Sequence, residues 1–85
     1  MNQPAATLTD DIIDVLRDEI RKVKSTLPLA VPTGALLMTD LGLDSLDVVE
    51  FVARVEEVYR VSVPDEDWQE LRTLDCIAAY VCAHR

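Results

Sequence analysis

Eighty-five residues suffice for one compact domain with a single core and are too few for a cleft with its own substrate domain. Sixteen acidic against eight basic side chains leave a net charge of −8, which argues against nucleic acid and anionic membrane as partners and favours a basic protein. An apolar fraction of 49% with only 5% aromatics predicts a core of Leu, Ile, Val and Ala in helices packed on helices. No apolar run is long enough to span a membrane, and no basic stretch followed by an apolar block opens the chain, so a cytoplasmic protein is expected.

In chain order, Met1 to Ala6 is a short polar lead expected to fray, and Thr7 or Thr9 can cap a first helix. Leu8, Ile12, Val15, Leu16, Ile20, Val23 and Leu27 give it one apolar stripe. Asp10, Asp11 and Asp14 stand near its start and Arg21, Lys22 and Lys24 near its end, aligned with the helix dipole. Pro28, Pro32 and Gly34 then break the chain into a long connection, but Leu29, Val31, Leu36, Leu37, Met38, Leu41 and Leu43 make it too apolar for a solvated linker. It is expected to pack over the core.

A second helix is expected from Asp44 or Ser45 to about Arg60. Projected at 100° per residue, Val48, Phe51, Val52, Val55, Val58 and Tyr59 form its core face, and Asp47, Glu50, Arg54 and Glu57 its solvated side. Leu46, Val49 and Ala53 make a narrower apolar ridge, bordered by Glu50, Glu56 and Glu57 on the side where Ser45 is displayed. Such a ridge suits a groove-bearing basic partner.

Val61, Ser62 and Val63 lead out of this helix, and Pro64 with Asp65, Glu66 and Asp67 predicts the first turn of a short third helix ending before Thr73. Thr73 can cap a last helix with Leu74, Ile77, Ala78 and Val81 on one face and Tyr80 near its edge. Cys76 and Cys82, six apart and outside any metal-ligand cluster, read as small core or half-buried hydrophobes. With no alternating period for a strand, the expected fold is all-α, a small bundle in one domain over 1–85.

The chain is organised around the acidic turn Asp40-Leu41-Gly42-Leu43-Asp44-Ser45-Leu46-Asp47. As a calcium loop it fails, because Ser45 stands where a glycine is needed and Phe51 where a bidentate Glu is needed. As a hydrolase elbow it lacks the second glycine, and the one imidazole, His84, is next to last in the chain. No catalytic residue and no metal site is therefore expected. What remains is a capped helix start that displays one hydroxyl between carboxylates.

Residues Leu41 to Glu50, followed by Glu56-Glu57-Val58-Tyr59 and by Val63-Pro64-Asp65-Glu66-Asp67, closely resemble the acyl carrier protein family over nearly the whole chain, from about Leu8 to Val81. The resemblance implies a four-helix bundle with a long first loop and a short third helix, the order derived above. It further implies that the serine of the Asp-Ser-Leu motif, here Ser45, bears a 4'-phosphopantetheine arm. A phosphopantetheinyl transferase would move that arm from coenzyme A, with magnesium at the transferase's own site. The arm's thiol would carry acyl groups as thioesters, and the protein itself would not be an enzyme.

Matched onto the family's recognition helix, Asp44, Leu46, Asp47, Val49, Glu50, Ala53, Glu56 and Glu57 would meet partners of ketosynthase, acyltransferase or acyl-ligase type. A cargo chain folded back would lie against some of Val48, Val52, Val55, Leu71, Ile77 and Val81.

Arg54, Arg60, Trp68 and the two loop prolines depart from a housekeeping fatty-acid carrier and point to polyketide or another specialised acyl pathway. Fatty-acid synthesis, a peptidyl or aminoacyl carrier, and an unmodified all-α interaction module are the alternatives. The short lead and the end just past the last helix suggest a free-standing, monomeric protein.

Overall fold

The computed structural model describes residues 4–84, with side chains from residue 11 onward. It contains α1 (Pro4–Val23), α2 (Ser45–Tyr59), a 3-10 helix (Asp65–Glu70) and α3 (Leu74–His84), with no strand among the described residues. The all-α four-helix architecture is the expected one. Helix α1 begins at Pro4, ahead of the expected Thr7 or Thr9 cap, because proline suits a first helical position and Ala5 and Ala6 are strong helix formers. Of the expected frayed lead, Met1 to Gln3 lie outside the described residues, and Pro4 to Ala6 are helical.

Helix α1 is the common support, packing on both α2 and α3. Its Ile12, Ile13, Leu16 and Ile20 meet Phe51, Val52 and Val55 of α2 and Leu74, Ile77, Ala78 and Val81 of α3 in one core. The helix stops at Val23, where Leu27 turns back to donate its amide to Lys24 O at 3.2 Å. Leu27 is buried all the same.

The long connection packs down as its apolar content required, with Leu27, Val31, Leu37 and Leu43 buried. Its grip on α1 comes from two arginines. Arg17 Nε donates to Val31 O at 3.0 Å and Arg21 Nε to Leu27 O at 3.1 Å. On the other side, Leu37 N donates to Arg72 O at 2.9 Å and Asp75 N to Thr33 O at 3.1 Å, which ties the loop to the C-terminal third of the chain.

Glu19, only 8% exposed, links α1 to α2 through charge. It accepts from Lys22 Nζ at 2.9 Å and from Arg54 Nη1 at 3.5 Å, while Arg54 Nε reaches Glu50 at 3.4 Å. Arg54 is thus drawn off the purely solvated face assigned to it. Val58 also departs from expectation: the projection sets it beside Phe51, yet it is 46% exposed. The core buries the α2 stripe at Phe51, Val52 and Val55 and takes in part of Tyr59 but leaves Val58 open, which an angular projection does not register.

Arg60 ends α2 in the left-handed region, φ 55° and ψ 44°, a conformation that costs a side-chain-bearing residue about 1–2 kcal/mol. The following Val61–Val63 segment is stitched at both polar groups of Val63: its amide donates to Glu56 Oε2 at 2.8 Å and its carbonyl accepts from Trp68 Nε1 at 3.2 Å. Trp68, unexpected in the sequence, therefore anchors the 3-10 helix, which has no fully buried residue of its own.

Thr73 caps α3 as expected, accepting from Cys76 N at 3.1 Å. Both cysteines are exposed, contrary to the expectation of core or half-buried sites. Counted at 100° per residue from Leu74, they sit about 200° and about 80° away, off the stripe that faces α1.

Tyr80 is buried rather than marginal because the 3-10 helix covers it, and its hydroxyl donates to Asp67 Oδ2 at 2.8 Å. Burial, then the Asp67 hydrogen bond and charge, then Glu70 and Glu56 push its pKa from 10.0 up to about 12. A folded-state pKa above the unfolded one gives stability that is whole below about pH 10 and lost as the pH rises through about 12. Absorbance titration should therefore show a tyrosinate component near 12 that is missing from Tyr80→Phe and moved to lower pH in Asp67→Asn. A single component that Tyr80→Phe leaves in place would contradict this packing.

Candidate functional site

The site begins in the turn that delivers Ser45. Asp40 N and Leu41 N both donate to Leu36 O at 3.0 Å, and the Asp40 carboxylate accepts the Leu36 amide at 2.9 Å, closing a small ring. Leu43 N donates to Leu37 O at 3.0 Å. Between them Gly42 has φ +77°, a left-handed conformation in which an L side chain is strained, and an added Cβ would meet only Lys24 Cε at 3.9 Å. The glycine is required by the backbone, not by crowding. The turn then drives Leu43 into the core and leaves Asp44 extended at the surface.

Asp44 is the N-cap of α2 and Asp47 completes the box. Asp44 Oδ1 accepts Asp47 N at 2.8 Å, and Asp47 Oδ2 accepts Asp44 N at 3.2 Å. One oxygen of each carboxylate is thereby spent on holding the helix start, and the other stays available. Ser45 is the first helical residue, exposed, and its hydroxyl has no partner among the described residues. The amides of Ser45 and Leu46 are also unpaired, as the first turn of a helix dictates.

An exposed hydroxyl next to two free amides at a positive helix end suits a phosphodiester anchored on that oxygen. It does not suit nucleophilic catalysis by the protein. His84 is engaged elsewhere, its Nδ1 paired with Tyr80 O at 2.9 Å and its ring stacked on Tyr80 at 3.9 Å.

The apolar ridge of α2 faces solvent as the projection placed it: Leu46 is 77% and Val49 49% exposed, with Ala53, Glu50 and Glu57 exposed beside them. Glu56 stands apart from this group. It is half-buried and its carboxylate holds the Val63 amide, so its role is to fasten the chain leaving α2. Arg54, placed on the solvated side from sequence and outside the expected docking set, stands beside the ridge through its pairing with Glu50.

Sequence reasoning also missed a cavity of about 440 Å³ next to the serine turn, lined by Leu36, Leu37, Met38, Thr39, Val48, Trp68, Gln69, Leu71 and Arg72. Of the residues expected to face a folded-back cargo, only Val48 and Leu71 line it. Val52, Val55, Ile77 and Val81 are consumed by the core. The signal was present in the surplus apolar residues of the loop, but their convergence with Trp68 is a tertiary fact.

The profile of the family described as "Phosphopantetheine attachment site" matches residues 10–81. An acyl carrier protein of Syntrophobacter fumaroxidans is 34% identical over 80 residues, 94% of each chain, and one of Campylobacter fetus is 34% identical over 70 residues, 82% of this chain and 91% of its own. The chain belongs to the acyl carrier protein family. A "Meromycolate extension acyl carrier protein" of Mycolicibacterium smegmatis is 36% identical over 76 residues, 89% of this chain and 77% of its own. Acyl carrier proteins are non-catalytic carriers of phosphopantetheine, and the family implies a phosphopantetheinyl transferase and acyl-handling biosynthetic enzymes as partners.

The capping box yields a direct test. Asp44→Ala should destabilise the fold by about 1 kcal/mol and Asp44→Ser by much less, because serine still accepts the Asp47 amide. Urea unfolding monitored by helicity measures both, and equal losses would show that the cap bond contributes nothing.

Proposed function

We propose that this acyl carrier protein bears its phosphopantetheine on Ser45 and presents cargo to partner enzymes through Asp44, Leu46, Asp47, Val49, Glu50, Ala53 and Glu57. The observation that carries the attachment site is the position of Ser45: first residue of α2, exposed, with an unpaired hydroxyl and the free amides of Ser45 and Leu46 beside it. The group, when bound, supplies a thiol on which acyl cargo is held as a thioester. The protein's own part is to place the serine where a transferase can reach it and to hold the helix end rigid through the Asp44–Asp47 box.

Glu56 is left out of the docking face because its carboxylate is committed to Val63. The docking residues combine an apolar ridge with unspent carboxylate oxygens, a pattern complementary to a basic patch around an apolar groove.

For the pathway, the reading is polyketide or other specialised acyl synthesis, supported by Arg54, which pairs with Glu50 and breaks the uniform acidity of α2. A fatty-acyl cargo is the second reading, supported by the mainly apolar lining of the cavity and by the name of the Mycolicibacterium relative.

Incubation with coenzyme A, magnesium and a promiscuous phosphopantetheinyl transferase should add one phosphopantetheine to the native protein and none to Ser45→Ala, read by intact mass. Absence of any gain in folded native protein would end the carrier reading. Combining Glu50→Lys with Glu57→Lys should raise the KM for that loading by about tenfold at low salt and by less at high salt. Circular dichroism should remain unchanged, and salt-independent, unaltered kinetics would remove α2 from the docking face.

A further inference from the structure

Half of the eight basic residues of this acidic chain, Arg17, Arg21, Lys22 and Lys24, stand within residues 17–24. Counted at 100° per residue, Arg17, Arg21 and Lys24 fall within about 60° of one another around α1. Glu19, which meets Arg54 of α2, is about 160° from Arg17, so the basic stripe lies away from α2. Lys24 keeps the helical register one residue past Val23, its amide donating to Ile20 O at 2.9 Å. Its stem passes beside Gly42, which brings the stripe to the edge of the serine turn.

The long loop runs along this stripe and is pinned by it at two points. Arg21 Nε holds Leu27 O and Arg17 Nε holds Val31 O, with both Leu27 and Val31 buried. The residues between the pins are thrown outward: Pro28, Leu29 and Ala30 are exposed, Leu29 to 75%. Among the described residues only Leu46 of α2 is a more exposed large hydrophobic. Between Lys24 and Asp40 the loop carries no charge of its own. The Nη groups of both arginines have no partner among the described residues, and Asp14 and Asp18 on the same helix form no ion pair with them.

A leucine on a loop fixed at both ends, flanked by guanidiniums already tethered through Nε, is preorganised for contact, because little freedom remains to be lost on binding. Arg17, Arg21 and Lys24 stand at i, i+4 and i+7, so their origins are spaced about 6 and about 10.5 Å along the helix axis. A second α-helix with carboxylates at the same spacing and leucines on the adjoining stripe matches both the cations and the apolar knob.

We propose that the Leu29 loop and the stripe of Arg17, Arg21 and Lys24 form a second docking surface, separate from α2, whose occupant is an acidic amphipathic helix of a partner protein. Its apolar stripe packs on Leu29 and its carboxylates pair with the three cations. The surface does not depend on the reading of Ser45 as the attachment site, although a partner seated there lies next to the serine turn.

The probe is a capped synthetic peptide of about 18 residues, long enough to form a helix, with glutamates at i, i+4 and i+7 and leucines beside them. Titrated into the full chain at physiological salt, it should saturably shift the Leu29 methyl and the Arg17 and Arg21 Nε–H resonances and leave Leu46 and Val49 unmoved. Leu29→Ser should weaken binding about tenfold. Lys24→Gln should weaken it about threefold. Both variants should keep the native circular dichroism, since Leu29 is exposed and the Lys24 ammonium has no partner among the described residues. Replacing the peptide's glutamates by lysine should abolish binding, and replacing its leucines by alanine should cost as much as Leu29→Ser.

Absence of saturable shifts at Leu29, or shifts that Leu29→Ser leaves in place, overturns the inference. Binding to phosphatidylglycerol vesicles that Leu29→Ser abolishes also overturns it, by making the occupant a lipid surface. A dimer seen by sedimentation velocity and lost in Leu29→Ser overturns it in favour of a second copy of the chain. None of these outcomes bears on the loading of Ser45.

Discussion

The reciprocal bonds between Asp44 and Asp47 decide where α2 starts, and the placement of Ser45 follows from that start. A helix that began one residue earlier would make Ser45 its second residue and take Asp44 out of the capping position. One that began later would leave it in the loop, without the amides of the first turn beside it. The box works because the approach to it is also constrained: Gly42 turns the chain and Leu43 is buried, so Asp44 arrives extended at the right place. The acidic turn thus has two layers of use, with Asp40 closing the loop onto Leu36 and Asp44 and Asp47 setting the helix end.

The same economy of charged groups runs through the rest of the molecule. Arg17 and Arg21 hold the long loop to α1, Glu56 fastens the exit from α2, and Glu19 joins Lys22 and Arg54 between helices. Removing these from the surface tally leaves Glu50, Glu57 and the unspent oxygens of Asp44 and Asp47 as the charges that α2 offers a partner. Arg54 then tempers Glu50 from within the same helix. A net charge of −8 is therefore a poor guide to the docking face, because part of the acidity is internal hardware.

The cavity and the 3-10 helix belong together. Asp65–Glu70 buries no residue fully and is held by Trp68 on Val63 and Asp67 on Tyr80. Those two contacts and the bond from Leu37 N to Arg72 O together hold Trp68, Gln69 and Arg72 opposite the loop residues Leu36 to Thr39 across the cavity. Weakly packed segments of this kind are where local opening is least costly.

Helical periodicity and turn chemistry were local, and they determined the order of elements, the bounds of α2 and the Thr73 cap, since each depends on residues within a few positions of one another. The display of Ser45 and the exposed ridge of Leu46, Val49 and Ala53 were legible for the same reason. What the tertiary structure alone decided were the outcomes that depend on a distant neighbour. Val58 is exposed although it lies on the stripe, and Tyr80 is buried beneath a 3-10 helix. Glu56 is diverted to Val63, Arg54 is drawn to Glu19, and loop and 3-10 helix meet to leave a cavity. A sequence carries the direction of each side chain around its own helix, while burial and pairing depend on what the fold brings to meet it.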